Sequence, residues 1–327
     1  MNLRDSALAC LVAALWGFNF VAIDWGMHGV PPLLFLALRF ALVVFPAILL
    51  VPRPDVPWRT LIFVGSLMSL GQFGLLYLSI DAGMPPGLAA LVLQAQVIFT
   101  IVIAAGVLGE RPTVAQVAGV ALGTLGLVVV ATGRGGHVPL IALLLCLGAA
   151  LSWSLGNVAS RASGARGGLG LTVWSAVVVP VPAFLVALAV DGPGSVADGI
   201  GSLGWPALLS TLYTAGLASL VGYGIFNTLL GRNAPAAVVP WILLVPPVAM
   251  LSAWACFGEV PTRAEVGGGA LMLTGVLVAL SPSLRPPPRQ EHTEPCLRPA
   301  SGSPSWSPRS SSSRSPDPAC SSPSAAH

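Results

Sequence analysis

The chain has 327 residues, 55% of them hydrophobic and 8% charged, with a mean hydropathy of +0.84. Soluble domains carry about 25% charged residues, so this composition excludes a soluble enzyme or a nucleic-acid-binding protein. The net charge of +3 is too small to mark an anionic macromolecule as a partner. A polytopic membrane protein remains.

An apolar run of about 20 residues with few charges is long enough to cross a bilayer as a helix. Ten such runs are expected, at 6–24, 32–51, 60–80, 86–108, 114–132, 138–160, 171–190, 205–230, 235–257 and 264–282. Short Gly, Pro or charged punctuation separates them, as in Pro52-Arg53-Pro54-Asp55. The first run carries Arg4 offset by Asp5, is interrupted by a Trp and an Asn, and ends at no clear cleavage site, so it is expected to be retained. With a cytoplasmic N-terminus, Arg4, Arg53, Arg59, Arg111, Arg161, Arg166, Arg232, Arg285 and Arg289 fall inside, and Arg134 and Arg263 outside. That bias predicts both termini on the cytoplasmic side. Residues 285–327 hold 12 Ser and 10 Pro with no apolar periodicity, and are expected to form a disordered cytoplasmic tail without a site.

Residues 109–131 align without gaps to 258–280, with 11 identities in 23 positions that include a shared Gly-Glu-x-Pro-Thr. Trp16 with Asn19, and Trp153 with Asn157, echo one another at the start of each half. The unit is therefore five helices, and an odd number of spans inverts the second copy relative to the first. The expected fold is an all-α membrane protein of ten transmembrane helices in two inverted five-helix repeats, 1–132 and 133–284, followed by the tail. Inverted repeats recur in secondary transporters, because two similar halves that exchange conformations also exchange access to the two sides.

Further strings carry a resemblance. Trp16-Gly17-Phe18-Asn19-Phe20 opens the first helix, and Leu38-Arg39-Phe40 lies in the second. Pro86-Gly87-Leu88-Ala89, Leu91-Val92-Leu93-Gln94-Ala95-Gln96 and Gly109-Glu110-Arg111 mark the fourth. The second half holds Gly156-Asn157, Val221-Gly222-Tyr223-Gly224-Ile225, Leu229-Leu230-Gly231-Arg232 and Leu243-Leu244-Val245-Pro246. Over about residues 1–284 the chain resembles the EamA family of the drug/metabolite transporter superfamily, in particular its branch that exports O-acetylserine and cysteine. The resemblance implies an inner-membrane exporter with a cavity between the two halves. The tail has no counterpart in it, and Asp24 stands where relatives often carry a basic residue.

Arg39 is the one charged residue well inside a span, seven residues from the outer end of its helix and so roughly 10 Å deep at ~1.5 Å per residue. A charge there is a functional candidate by default, able to hold a carboxylate through a bidentate pair. The alternative is a structural Arg that snorkels or pairs with helix-end carbonyls. Gln94 and Gln96 lie near mid-depth in the fourth span and point in different directions, one expected toward the cavity and one between helices; Gln72 is similarly central. Asn19, Trp16, Trp153 and Asn157 complete the candidate binding set, with interfacial anchoring as the other reading of the Trp residues. Asp24 is the one candidate for coupling. Pro240, Pro246 and Pro247 in the ninth span, and Pro180 and Pro182 in the seventh, must interrupt helical hydrogen bonds and are candidate hinges, packing irregularity being the alternative. The two Gly-Glu-x-Pro-Thr strings are expected to be helix–loop–helix corners, capped by Thr113 with Gln116 and by Thr262 with Glu265.

A membrane enzyme would need a cluster of chemical groups. The four His fall in loops and the tail, and no Gly-rich nucleotide loop precedes a Lys, since all fifteen basic residues are Arg. The five Cys show neither metal-ligand spacing nor a disulfide framework. The expectation is a transporter without catalytic residues, metal or cofactor, whose partners are a small solute and the bilayer and not nucleic acid. Cysteine, O-acetylserine, another neutral amino acid or a drug-like compound all suit a polar, aromatic cavity.

Overall fold

The computed structural model describes residues 1–133, 138–164 and 168–281. The tail, with Cys296, Cys320, His292 and His327, lies outside them, as do Arg134, His137 and Arg166. In hydrocarbon every backbone N–H and C=O needs an internal partner, which an apolar helix supplies. Among the described residues ten helices are long and apolar enough to cross a membrane: α1 (Leu3–Met27), α2 (Pro32–Leu50), α3 (Trp58–Asp81), α4 (Pro86–Val107), α5 (Val114–Gly133), α6 (Leu140–Ala162), α7 (Leu169–Val190), α8 (Trp205–Arg232), α9 (Val239–Phe257) and α10 (Arg263–Leu280). They match the ten expected runs to within a few residues at each end. Successive helices run in opposite senses, so one face of the molecule carries the N-terminus and the other the α1–α2 corner.

Between α7 and α8 the chain forms one further helix, Gly192–Gly201. It packs on the start of α2, where Gly199 leaves room for Pro31, and Ser202 Oγ donates to the Gly29 carbonyl at 2.9 Å. Four Gly in ten residues hide this helix in the sequence.

The corners follow the expected chemistry. Gly109 and Gly258 close α4 and α9 in the left-handed region, at φ 66° and 70°, where a Cβ would be strained. Each is followed by a reciprocal cap. The Thr113 N–H donates to Gln116 Oε1 at 2.9 Å and the Gln116 N–H to Thr113 Oγ1 at 3.2 Å. Thr262 and Glu265 repeat the pattern at 2.8 Å and 3.2 Å.

The two halves meet most closely where α5 crosses α10. A Cβ on Gly119 would lie 2.5 Å from the Gly275 carbonyl oxygen, and one on Gly126 2.6 Å from that of Gly268. Absent side chains let the two backbones touch, the usual basis of close helix pairing in membranes.

Several spans depart from α-helix, and four of them do so in pairs. Both α3 and α8 contain a π-helical stretch, at Ser66–Gly71 and Tyr213–Val221. Aligning Leu67-Met68-Ser69-Leu70 with Leu217-Ala218-Ser219-Leu220, and Gly74 with Gly224, superposes the two stretches in sequence. Both α4 and α9 are irregular: α4 is interrupted between Val92 and Ala95, and α9 opens with a 3-10 segment at Val239–Leu244. The expected proline hinges are refined by this. Pro240 lies in the 3-10 segment, but Pro246 and Pro247 occupy the first turn of the α-helical part of α9, where their missing N–H groups are not needed. In α7 the α-helix stops at Ala176 and restarts at Pro180.

Candidate functional site

The one charged side chain buried at mid-helix among the described residues is Arg39, and two hydroxyls meet it. Its side chain is 2% exposed. One guanidinium nitrogen, Nη1, donates to the Tyr77 hydroxyl of α3 at 3.0 Å, and Nη2 donates to Ser219 Oγ in the π-helical stretch of α8 at 3.1 Å. Ser219 in turn donates to the Thr214 carbonyl five residues earlier, a bond that the wider π turn allows. The guanidinium lies 4.3 Å from the centre of the Phe73 ring and 5.4 Å from that of Phe40. Such cation–π contacts are worth up to about 2 kcal/mol each when desolvated. Arg39 Nε has no hydrogen-bond partner. Among the described residues the one ion pair is Glu110–Arg161 at the N-terminal face, so no carboxylate neutralises Arg39.

A cleft of about 80 Å³ adjoins this group, on the side of the N-terminal face. Phe40, Phe73, Trp153 and Tyr223 supply aromatic walls, and Ser69, Thr172, Ser175 and Ser219 supply hydroxyls. Arg39 touches two walls directly, stacking on Phe73 and hydrogen-bonding Ser219. A cationic fork, hydroxyl groups and aromatic faces together can hold a small molecule that bears an anionic group and an apolar body.

The other sequence candidates are placed unequally. Trp153 lines the cleft. Trp16 does not: its indole N–H donates to the Ala218 carbonyl at 2.9 Å, and its ring packs on Tyr223 and Phe226 with centroids 5.0 and 5.2 Å away. Its role is thus tertiary packing of α1 on α8 in this state, not anchoring at an interface. Asn19 and Gln72 are both buried, and their side-chain carbonyl oxygens have no partner. Gln94 is buried at the interruption of α4 and Gln96 is half-buried beside it; neither is among the residues lining the cleft. Asn157 is half-buried on α6.

A second cleft of about 220 Å³ opens on the opposite face, between the start of α4 and the α9–α10 corner, with Gly87, Met250, Glu259, Thr262 and Glu265 in its lining. Burial pushes the Glu259 carboxyl above the usual carboxylate range, and the negative charges of Asp24 and Glu265 push the same way, against the Gly87 amide, which lowers it. Asp24 thus belongs to the neighbourhood of this corner, far along α1 from the aromatic cleft.

Sequence reading missed Tyr77, Ser219, Phe73, Tyr223 and the hydroxyls of α7. One signal could have found part of the set. Phe73 and Tyr223 occupy equivalent positions once the third helix of each half is aligned, and both line the cleft.

Comparison with known proteins agrees with this architecture. Residues 6–132 and 140–281 each match the EamA-like transporter family. A protein of Escherichia coli (strain K12) called a probable amino-acid metabolite efflux pump is 40% identical over 284 residues, covering 85% of this chain and 95% of the relative. A probable terminal-alkyne amino-acid exporter of Streptantibioticus cattleyicolor is 29% identical over 273 residues, covering 82% and 90%. A crystal structure with 20% identity superposes with a TM-score of 0.60 over 85% of this chain and 96% of that one, and shares the fold. The two inverted five-helix halves, the ten spans and these matches have one reading: the chain is a multi-pass membrane transporter of small solutes, not an enzyme, and belongs to the EamA-like transporter family of the drug/metabolite transporter superfamily.

Proposed function

We propose that this chain exports small amino-acid-like metabolites, of the O-acetylserine and cysteine type, across the inner membrane by alternating access. The observation that carries the reading is Arg39: a buried cationic side chain with a free Nε and no carboxylate partner, beside an aromatic cleft. An amino acid's carboxylate supplies the missing counter-charge through charge-assisted hydrogen bonds. The unpartnered acceptors on Asn19 and Gln72 suit the donors of an ammonium group that moves deeper into the protein. The relatives in Escherichia coli and Streptantibioticus cattleyicolor, named for amino-acid efflux and export, support the same solute class.

Orientation rests on charge. Among the described residues Arg4, Arg53, Arg59, Arg111, Arg161 and Arg232 lie at the N-terminal face and Arg263 alone at the opposite one, which supports cytoplasmic termini. The aromatic cleft then faces the cytoplasm, ready to receive solute from inside. The repeats 1–132 and 133–284 rock against each other, and the tail after 284 takes no part. No carboxylate meets Arg39, so solute moves down its own gradient or in exchange, with Asp24 left as the candidate for any coupling.

A second reading is an exporter of other metabolites or drug-like compounds. It is favoured by the four aromatic walls, which accept a flat apolar body as readily as a short side chain.

Flux of radiolabelled cysteine and O-acetylserine in proteoliposomes, with and without a pH gradient, separates these readings. The expected result is saturable flux indifferent to pH. Flux driven by the gradient would replace facilitated movement with proton coupling. If neither solute moves while an apolar metabolite does, the amino-acid reading falls and the second one stands.

A further inference from the structure

Trp16 and Trp153 are equivalent residues of the two halves, yet they are used differently. Trp16 is docked: it donates to the carbonyl of Ala218 in the π-helical stretch of α8, and Gly222 leaves the space it fills, since a Cβ there would lie 2.6 Å from Trp16 Nε1. Trp153 is undocked. It forms a wall of the aromatic cleft, and its indole N–H makes no hydrogen bond among the described residues.

A hydrogen-bond acceptor for a docked Trp153 is present, although the Gln72 side chain stands where Gly222 leaves space on the other half and must shift to admit the ring. In the alignment of α3 with α8, Met68 is the counterpart of Ala218 and Gln72 the counterpart of Gly222. Met68 lines the cleft next to Trp153. Gln72 is 5% exposed, and its Oε1, a hydrogen-bond acceptor, has no partner. A buried acceptor without a donor is unfavourable, so this atom stands ready to take one. Ser152, adjacent to Trp153, donates to the Leu67 carbonyl of the π-helical stretch at 2.7 Å and so already holds α6 against the segment that would receive the indole.

We propose that the two indoles take turns as the movable wall of the solute site. In the state described here Trp16 is docked on α8 and Trp153 faces the solute. When access passes to the opposite face, Trp153 docks on α3, its N–H satisfying Gln72 Oε1, while Trp16 leaves the Ala218 carbonyl and becomes the wall. The solute therefore meets an indole in both states, contributed by α6 in one and by α1 in the other. Trp16 is then a solute-contacting residue of the second state, although it touches no cleft in the first. This inference rests on the alternating-access reading above, but not on the identity of the solute.

The test reads conformation without any solute. Thr172 lines the cleft, so the T172C substitution, in a full-length chain whose own cysteines are replaced by Ser, reports access from the N-terminal face through its rate of reaction with a membrane-impermeant maleimide. Phe keeps the ring and removes the N–H. Trp16→Phe deletes a hydrogen bond made only in the present state and is expected to slow labelling. Trp153→Phe deletes one made only in the other state and is expected to speed it, the two rates separating by about fivefold or more. The double variant loses both bonds and should return to within about twofold of the parent. Equal rates in the two single variants, or slowing in both, would overturn the inference. Purified variants that elute as the parent does on size exclusion exclude misfolding as the cause. If the labelling pattern appears while neither cysteine nor O-acetylserine moves in proteoliposomes, the switch stands and the amino-acid reading fails.

Discussion

Arg39 was legible in the sequence because it is a lone charge inside an apolar run, and hydrocarbon makes such a charge conspicuous. Its partners were not. Tyr77 and Ser219 lie 38 and 180 residues away, and a hydroxyl in an apolar helix carries no mark of where it points. Because the hydroxyls are neutral, removing the guanidinium strands no opposite charge. Arg39→Ala is therefore expected to leave membrane levels intact while transport falls roughly 10- to 100-fold, the loss of one charge-assisted pair. Arg39→Lys keeps the charge without the planar fork, so an intermediate rate is expected. Flux normalised to protein in the membrane checks both, and undiminished transport in Arg39→Ala would remove the carboxylate clamp. Glu259 gives a second prediction. Its carboxyl is raised above 4.5 in the folded chain, first by burial. From pH 4.5 up to its folded value the native state holds a proton that the unfolded chain has lost, so stability falls as pH rises through that window. Glu259→Gln should flatten this decline and melt higher than the parent above the window, as thermal unfolding in detergent between pH 4 and 8 would show.

At the scale of the helix, what was readable was local. Gly followed by Pro and a Thr-x-x-Gln or Thr-x-x-Glu box spells out a corner within eight residues, and both corners form with the reciprocal bonds expected. The π-helical stretches of α3 and α8 left no such trace. A π turn is a change in which carbonyl each N–H meets, made here without proline, and Ser66–Gly71 reads like any apolar helix. The small helix Gly192–Gly201 was hidden for the converse reason, a composition that suggests a loop. The α5–α10 crossing offers the sharpest test at this scale. Gly126→Leu forces a Cβ to within 2.6 Å of the Gly268 carbonyl oxygen and the Met272 nitrogen, with no flexible side chain to yield. It is expected to destabilise the protein by about 1–3 kcal/mol or more. Gly106→Ala in α4 meets nothing within 4 Å and is expected to raise stability by about 0.5–1 kcal/mol, through helix propensity alone. Melting curves of the two variants check the contrast.

For the molecule as a whole, ten spans, opposed halves and the transporter class followed from hydropathy and from one repeated string, while the cleft did not, because five helices from both halves must come together before it exists. The family match ends at residue 281, and a chain truncated after residue 284 is expected to carry solute at the full-length rate; a drop of more than about twofold per molecule in proteoliposomes would give the last 43 residues a role. The α5–α10 crossing has a further property. Exchanging the halves turns the contact of Gly119 with Gly275 into that of Gly268 with Gly126, and both are already present. An arrangement that maps onto itself has nothing to gain or lose when the halves trade conformations, unlike the two indoles, whose surroundings must differ between states. On the alternating-access proposal the crossing is expected to act as an axle: its two helices keep one geometry while the halves trade conformations, the lipids around them see an unchanging surface, and a covalent tether between α5 and α10 leaves the carrier free to turn over.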